Sequence, residues 1–261
     1  MAPTDTRLPG GTVLPGSRHR PNSARPPLGT GRLETADLGG FTLEGGATLP
    51  LTIAYRHDGP GPDAPQVLVI HALTGSADAA GDWWAPLIGP GRTFDTSRVG
   101  ILCANLLGGR YGSTGPTSAN PATGEPWGAD FPQPTARDEA RAIWRLADAL
   151  GIRRFALVGG GSLGGMISLE VALERPHAVR HVVPIGAPAA TGPMAIAWNH
   201  IQLGIIERLG HEGLSLARQL AMTTYRSTAD FDGRFGRHVQ DDGRFSVVSY
   251  LDHQGGKILD R

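Results

Sequence analysis

The sequence predicts an α/β fold built on a mainly parallel sheet with helices on both faces. Three observations carry that prediction. The apolar run Gln66-Val67-Leu68-Val69-Ile70 has the make-up of a buried parallel strand, and Gly100 to Asn105 reads as another strand. Strand-like and helix-like stretches then alternate from Thr135 to Ile185. Within that series, Gly160-x-Ser162-x-Gly164 joins the strand-like Phe155-Ala156-Leu157-Val158 to a helical pattern over Met166 to Glu174. A serine on a tight strand-to-helix turn takes a strained backbone, and glycines two residues either side remove the clashes that side chains would make.

Taken in order, residues 1–32 are rich in Pro, Gly, Arg and Ser and lack an apolar period, so a disordered basic tail is expected. Order begins near Leu33. Phe41 to Glu44, a Gly45-Gly46 turn and Leu49 to Tyr55 predict a β-hairpin. A Gly/Pro/Asp loop from Asp58 to Pro65 leads to the strand at 66–70, which ends in His71-Ala72-Leu73-Thr74-Gly75. The strand from Gly100 runs into a long polar loop, Leu107 to Phe131. Thr135 caps the next helix, with Asp138 completing a capping-box arrangement. Its apolar face runs through Ala140, Ile143, Trp144, Ala147 and Leu150, and Gly151 closes it. A strand at 154–158, the serine turn, the helix 166–174 and a strand at His181 to Ile185 complete the alternating series. From Ala195 the pattern is helical, with Leu214 to Thr223 as a further segment, and late helices in such folds often cover the strand C-termini as a lid. The domain reading is therefore a tail at 1–32, an α/β core at 33–190 and a helical lid segment from 191 to 261.

Composition narrows the function. The 24 basic and 24 acidic residues balance, which argues against nucleic acid as the main partner. A single cysteine, Cys103, excludes an intramolecular disulfide, fits a reducing compartment, and lies in an apolar run as a structural thiol. No apolar stretch reaches spanning length and no signal core opens the chain, so a soluble, cytoplasmic protein without membrane contact is expected.

Three features point to acyl transfer. Ser162 is placed as a nucleophile, which needs a histidine to accept its proton and a carboxylate to orient that histidine. The backbone N–H of Leu163 would face the oxyanion formed on attack, and the loop His71 to Gly75 would supply a second donor, the N–H of Leu73. The loop from Leu107 to Phe131 is of a length more often functional than idle. The plain alternative is a glycine-rich turn with a bystander serine. His71 precedes the serine, whereas the base of this arrangement follows it, so His71 is read as a structural histidine of the oxyanion loop. After Ser162 come His177, His181, His200, His211, His238 and His253, none placed beyond two further strands. Asp252-His253 has the right residue types, but sequence neighbours rarely meet the geometry, and His253 is read as structural. No metal or bound cofactor is expected.

At this point the sequence resembles the homoserine O-acetyltransferase family of the α/β-hydrolase fold. The resemblance rests on His71 to Gly75, Leu87-Ile88-Gly89-Pro90-Gly91-Arg92, Asp95-Thr96, Asn105 to Gly109 and Gly112 to Ser118. Asn120-Pro121, Thr123-Gly124, Phe131-Pro132, Gly160 to Met166, Ala195 to Asn199 and Ser249 to Gly255 extend it over roughly residues 38–261. It implies a two-step reaction in which Ser162 takes acetyl from acetyl-CoA, a co-substrate, and the hydroxyl of homoserine removes it, in methionine biosynthesis. Ping-pong kinetics would follow, with a lid limiting hydrolysis. The family continues past the position matching Arg261 through segments that supply the catalytic aspartate and histidine, so a truncated chain with the last strands missing is expected. Leu203 stands where the family carries an arginine for the substrate carboxylate, a loss worth about 2–5 kcal/mol in binding. Two alternatives stand beside the transferase: an esterase-like serine hydrolase of the same fold, and an inactive fragment. Acetyl or succinyl as the acyl group, the acceptor, and a homodimer are left open.

Overall fold

The computed structural model describes residues 26–259, and they divide between Ala189 and Ala190 into two compact units. Residues 1–25 of the expected tail lie outside the described residues. Residues 26–32 are tied to the sheet: the Tyr55 hydroxyl donates to Pro27 O at 2.7 Å, and Gly29 N–H donates to His57 Nδ1 at 2.9 Å.

The first unit holds a six-stranded sheet in the order β1-β2-β4-β3-β5-β6. Strands β1 (Leu33–Thr42) and β2 (Thr48–Asp58) form the expected hairpin, and β2 runs antiparallel to β4 (Gly100–Ala104). From β4 onward, β3 (Gln66–Ile70), β5 (Leu157–Gly161) and β6 (Val182–Ile185) pair in parallel. Parallel strands must be covered on both faces, and the alternation of β3 shows how. Leu68 and Ile70 face a core shared with helices α1 (Ala136–Leu150) and α2 (Leu163–Glu174). Val67 and Val69 face a smaller cluster closed by Ala77, Ala79, Ile88, Trp83, Trp84 and Phe94, which lie on a turn-rich segment.

Helix α1 starts and stops where local chemistry dictates. Thr135 Oγ1 accepts from Asp138 N–H and Asp138 Oδ2 accepts from Thr135 N–H, both at 3.1 Å, while Gly151 closes the helix at φ 72°. Trp144 then joins α1 to α2, since its indole N–H donates to Val171 O at 2.9 Å and its ring packs 5.2 Å from that of Phe155.

The region that carries the serine differs from expectation in register. Strand β5 covers 157–161 rather than 154–158, and α2 begins at Leu163, directly after Ser162. The glycines read as a turn belong to the sheet, with Gly159 opposite Val69 and Gly160 opposite Ile70. Phe155 makes an isolated bridge to Val179 instead.

The second unit is helical. Helix α3 (Pro193–Thr224) breaks at Gly210, where φ 57° and ψ −130° suit glycine, and both expected helical segments fall within it. Helices α4 (Thr228–Phe235) and α5 (Ser246–Leu259) follow. A Cβ on Gly255 would lie 2.4 Å from Ser215 Oγ, so glycine is what lets α5 settle onto α3. No helix among the described residues is long and apolar enough to cross a membrane.

Candidate active site

Ser162 stands between β5 and α2 at φ 54° and ψ −121°, the one non-glycine residue with positive φ among those described. Hydrogen bonds hold it there from both sides. Its N–H donates to Ile185 O at 2.9 Å, and its carbonyl accepts from Gly165 at 2.9 Å and Met166 at 3.1 Å. The flanking glycines are required by space. A Cβ on Gly160 would lie 2.4 Å from Ile70 O, and one on Gly164 only 2.1 Å from the same atom. The turn thus presses against the end of β3, which is why serine and strand end come together. Ser162 is exposed, and its hydroxyl makes no hydrogen bond among the described residues.

The two expected oxyanion donors are both unspent. Among the described residues, neither the Leu73 nor the Leu163 N–H donates to an acceptor. Leu163 opens α2, so its N–H belongs to the positive end of that helix. Leu73 sits in the turn after β3 with its side chain 79% exposed.

Both ring nitrogens of His71 have partners within the fold. The residue is buried, its Nε2 accepts from the Leu106 N–H at 3.3 Å, and its Nδ1–H donates to Ala72 O at 2.7 Å. Burial holds its pKa below the ordinary value of 6.5, so the ring is neutral near pH 7. His177 precedes β6 and His181 adjoins its first residue, whereas Ser162 lies level with its end, where Gly161 pairs with Ile185. Asp252, in the second unit, is ion-paired with Arg244 at 3.0 Å.

The chain after β4 contributes residues that sequence reasoning passed over. Asn105 Oδ1 accepts from Ala77 N–H and its Nδ2 donates to Tyr111 O, both at 2.6 Å. Leu106 N–H goes to His71 and Leu107 N–H to Glu139 Oε2 at 3.0 Å. Glu139 is buried, and desolvation pushes its carboxyl up to about 8 against the lowering effect of the Leu107 hydrogen bond. Its position was open to inference, because Glu139 lies four residues before Ile143 on the stripe that faces the core. The long loop is stitched across β2: Ala54 N–H donates to Ser113 Oγ at 3.0 Å and Thr52 N–H to Thr114 Oγ1 at 2.8 Å. No group of three or more His, Cys, Asp or Glu side chains suited to a metal ion occurs among the described residues.

Residues 65–247 match the family model described as the alpha/beta hydrolase fold. The homoserine O-acetyltransferase of Moorella thermoacetica is 44% identical over 253 residues, covering 84% of this chain and 67% of that protein. The chain belongs to the homoserine O-acetyltransferase family. The counterpart in Chlorobium chlorochromatii is 45% identical over 240 residues, covering 85% of this chain and 67% of its own length. Among solved structures, the homoserine O-acetyltransferase of Staphylococcus aureus superposes with a TM-score of 0.74 at 33% identity, covering 88% of this chain and 67% of that one. This family member therefore spans about two thirds of the length of the curated relatives it matches.

Proposed function

We propose that Ser162 carries the acyl group in an O-acetyltransferase that moves acetyl from acetyl-CoA to the hydroxyl of homoserine or a related acceptor. The observation that carries this reading is the strained, glycine-flanked Ser162 at the junction of β5 and α2, in a chain of this family. In the first step Oγ attacks the thioester carbonyl, the C–S bond breaks, and CoA leaves as the thiol once the serine proton reaches sulfur. In the second step the acceptor hydroxyl attacks the acyl-serine, the ester bond to Oγ breaks, and the proton returns to Ser162. The oxyanion formed in each step would lie between the Leu73 and Leu163 N–H groups, whose freedom from other acceptors supports that role. Among the described residues no histidine hydrogen-bonds to Ser162 Oγ.

The chemistry asks for no resident metal or prosthetic group, and acetyl-CoA enters as a substrate. A place in methionine biosynthesis, a cytoplasmic setting and a homodimer belong to the same proposal. The acceptor is written as homoserine or a related hydroxyl compound because Leu203 stands in the sequence where the resemblance implies an arginine for the substrate carboxylate.

Assays of the 261-residue chain with acetyl-CoA, with and without homoserine, test the proposal beside Ser162→Ala. CoA release that needs both homoserine and Ser162 is expected. Release at the same rate without homoserine would make the chain an esterase-like hydrolase. Equal background rates in wild type and Ser162→Ala would mean that the chain on its own is inactive.

A further inference from the structure

We infer that His71 is a positioning residue, one that fixes the direction of the Leu73 N–H through the carbonyl of Ala72. The inference rests on the reading of the Leu73 N–H as an oxyanion donor. The physical link is the peptide plane. Ala72 C=O and Leu73 N–H belong to one rigid trans peptide and point in opposite directions, so whatever holds the oxygen aims the N–H. Two donors hold that oxygen: His71 Nδ1–H at 2.7 Å and Gly75 N–H at 2.8 Å.

The ring is itself set in the required form. Leu106 N–H is a donor and so must meet a lone pair on Nε2, at 3.3 Å, which places the ring proton on Nδ1, facing Ala72 O. A chain of hydrogen bonds thus runs from the segment after β4, through the imidazole, to the Ala72 carbonyl. Leu107 N–H, bonded to Glu139 Oε2 at 3.0 Å, anchors the far end of that chain on α1. Space keeps the turn closed, since a Cβ on Gly75 would lie 2.8 Å from His71 Cβ. Without the Nδ1–H donor, one of the two bonds that hold the peptide against rotation is gone, and rotation turns the N–H away from the oxyanion.

Two substitutions separate this role from packing. In His71→Asn the amide nitrogen falls near the place of Nδ1 and keeps the donor to Ala72 O. In His71→Gln the side-chain carbonyl falls near Nε2, keeps the Leu106 bond and loses that donor. With p-nitrophenyl acetate as probe, His71→Gln is expected to lower kcat by about 10²-fold with KM little changed, the size of loss that follows removal of one oxyanion donor. His71→Asn should stay within about tenfold of wild type on the same scale. A glutamine variant as active as the asparagine variant, or more so, would overturn the inference. Crystal structures of both variants give a second readout that needs no turnover. The Ala72–Leu73 peptide should be turned or split over two orientations in the glutamine variant and unchanged in the asparagine variant. One orientation common to both would also overturn the inference. If wild type proves no faster than Ser162→Ala, the serine reading fails, and the peptide orientation alone decides the part played by His71.

Discussion

At position 139 a carboxyl group has been taken almost wholly out of water, with the Leu107 N–H at 3.0 Å in place of hydration. Burial outweighs that bond, and the group titrates at about 8 instead of the ordinary 4.5. The folded state therefore holds a proton that the unfolded chain releases. The stability this group contributes is full below about pH 4.5, falls as pH rises toward 8, and levels off above it. The total loss from this one group is of order 2–5 kcal/mol. Glutamine in its place still accepts from Leu107 and does not titrate. Glu139→Gln should match wild type near pH 4 and exceed it by about 2–4 kcal/mol at pH 9 in urea denaturation. Parallel stability curves for the two proteins across that range would show that Glu139 is not the titrating group.

At the scale of elements, His57 on β2 holds two neighbours at once. Nδ1 accepts from Gly29 N–H at 2.9 Å, and Nε2–H donates to Gln66 Oε1 at 2.9 Å, while Gln66 Nε2 reaches Gly61 O at 2.7 Å. Burial keeps the His57 pKa below 6.5, more than the Gln66 bond and Asp58 raise it. The folded state thus resists a proton that the unfolded chain accepts below about pH 6.5, so the stability this site contributes is full above that pH and lost as pH falls. A protonated Nδ1 has no lone pair for Gly29. Residues 26–32 should come free of β2 on acidification before the sheet unfolds. Relative to the intrinsic amide rate at each pH, protection at Gly29 and Gly31 should fall between pH 7 and pH 5 while protection in β3 is kept. Equal loss of protection in both would mean that the clasp and the sheet open together.

Across the whole molecule, what the sequence made legible was local. Thr135, Asp138 and Gly151 mark the ends of α1 through hydrogen bonds that span three or four residues, and they were readable as written. The spacing Gly160-x-Ser162-x-Gly164 was equally plain, as was the place of the loop after β3. The register of β5 was not, because Gly159 to Gly161 look like a turn until Ile70 O is seen against Gly160 and Gly164. The roles of Asn105, Leu106 and Glu139 depend on partners 28, 35 and 32 residues away, beyond the reach of any periodicity. Helices α4 and α5 lie outside the segments that the sequence marked as helical.

The backbone of Ser162 has a consequence for the fate of the whole chain under selection. A side chain at φ 54° costs roughly 1–3 kcal/mol, which every folded copy carries whether or not it meets a substrate. Glycine at this position is free of that cost. Ser162→Gly should therefore melt a few degrees above wild type, and Ser162→Ala should not, as differential scanning calorimetry on the three proteins would show. A library sorted only for survival on heating would drift toward glycine at 162 and, generation by generation, shed the one atom on which the proposed chemistry depends.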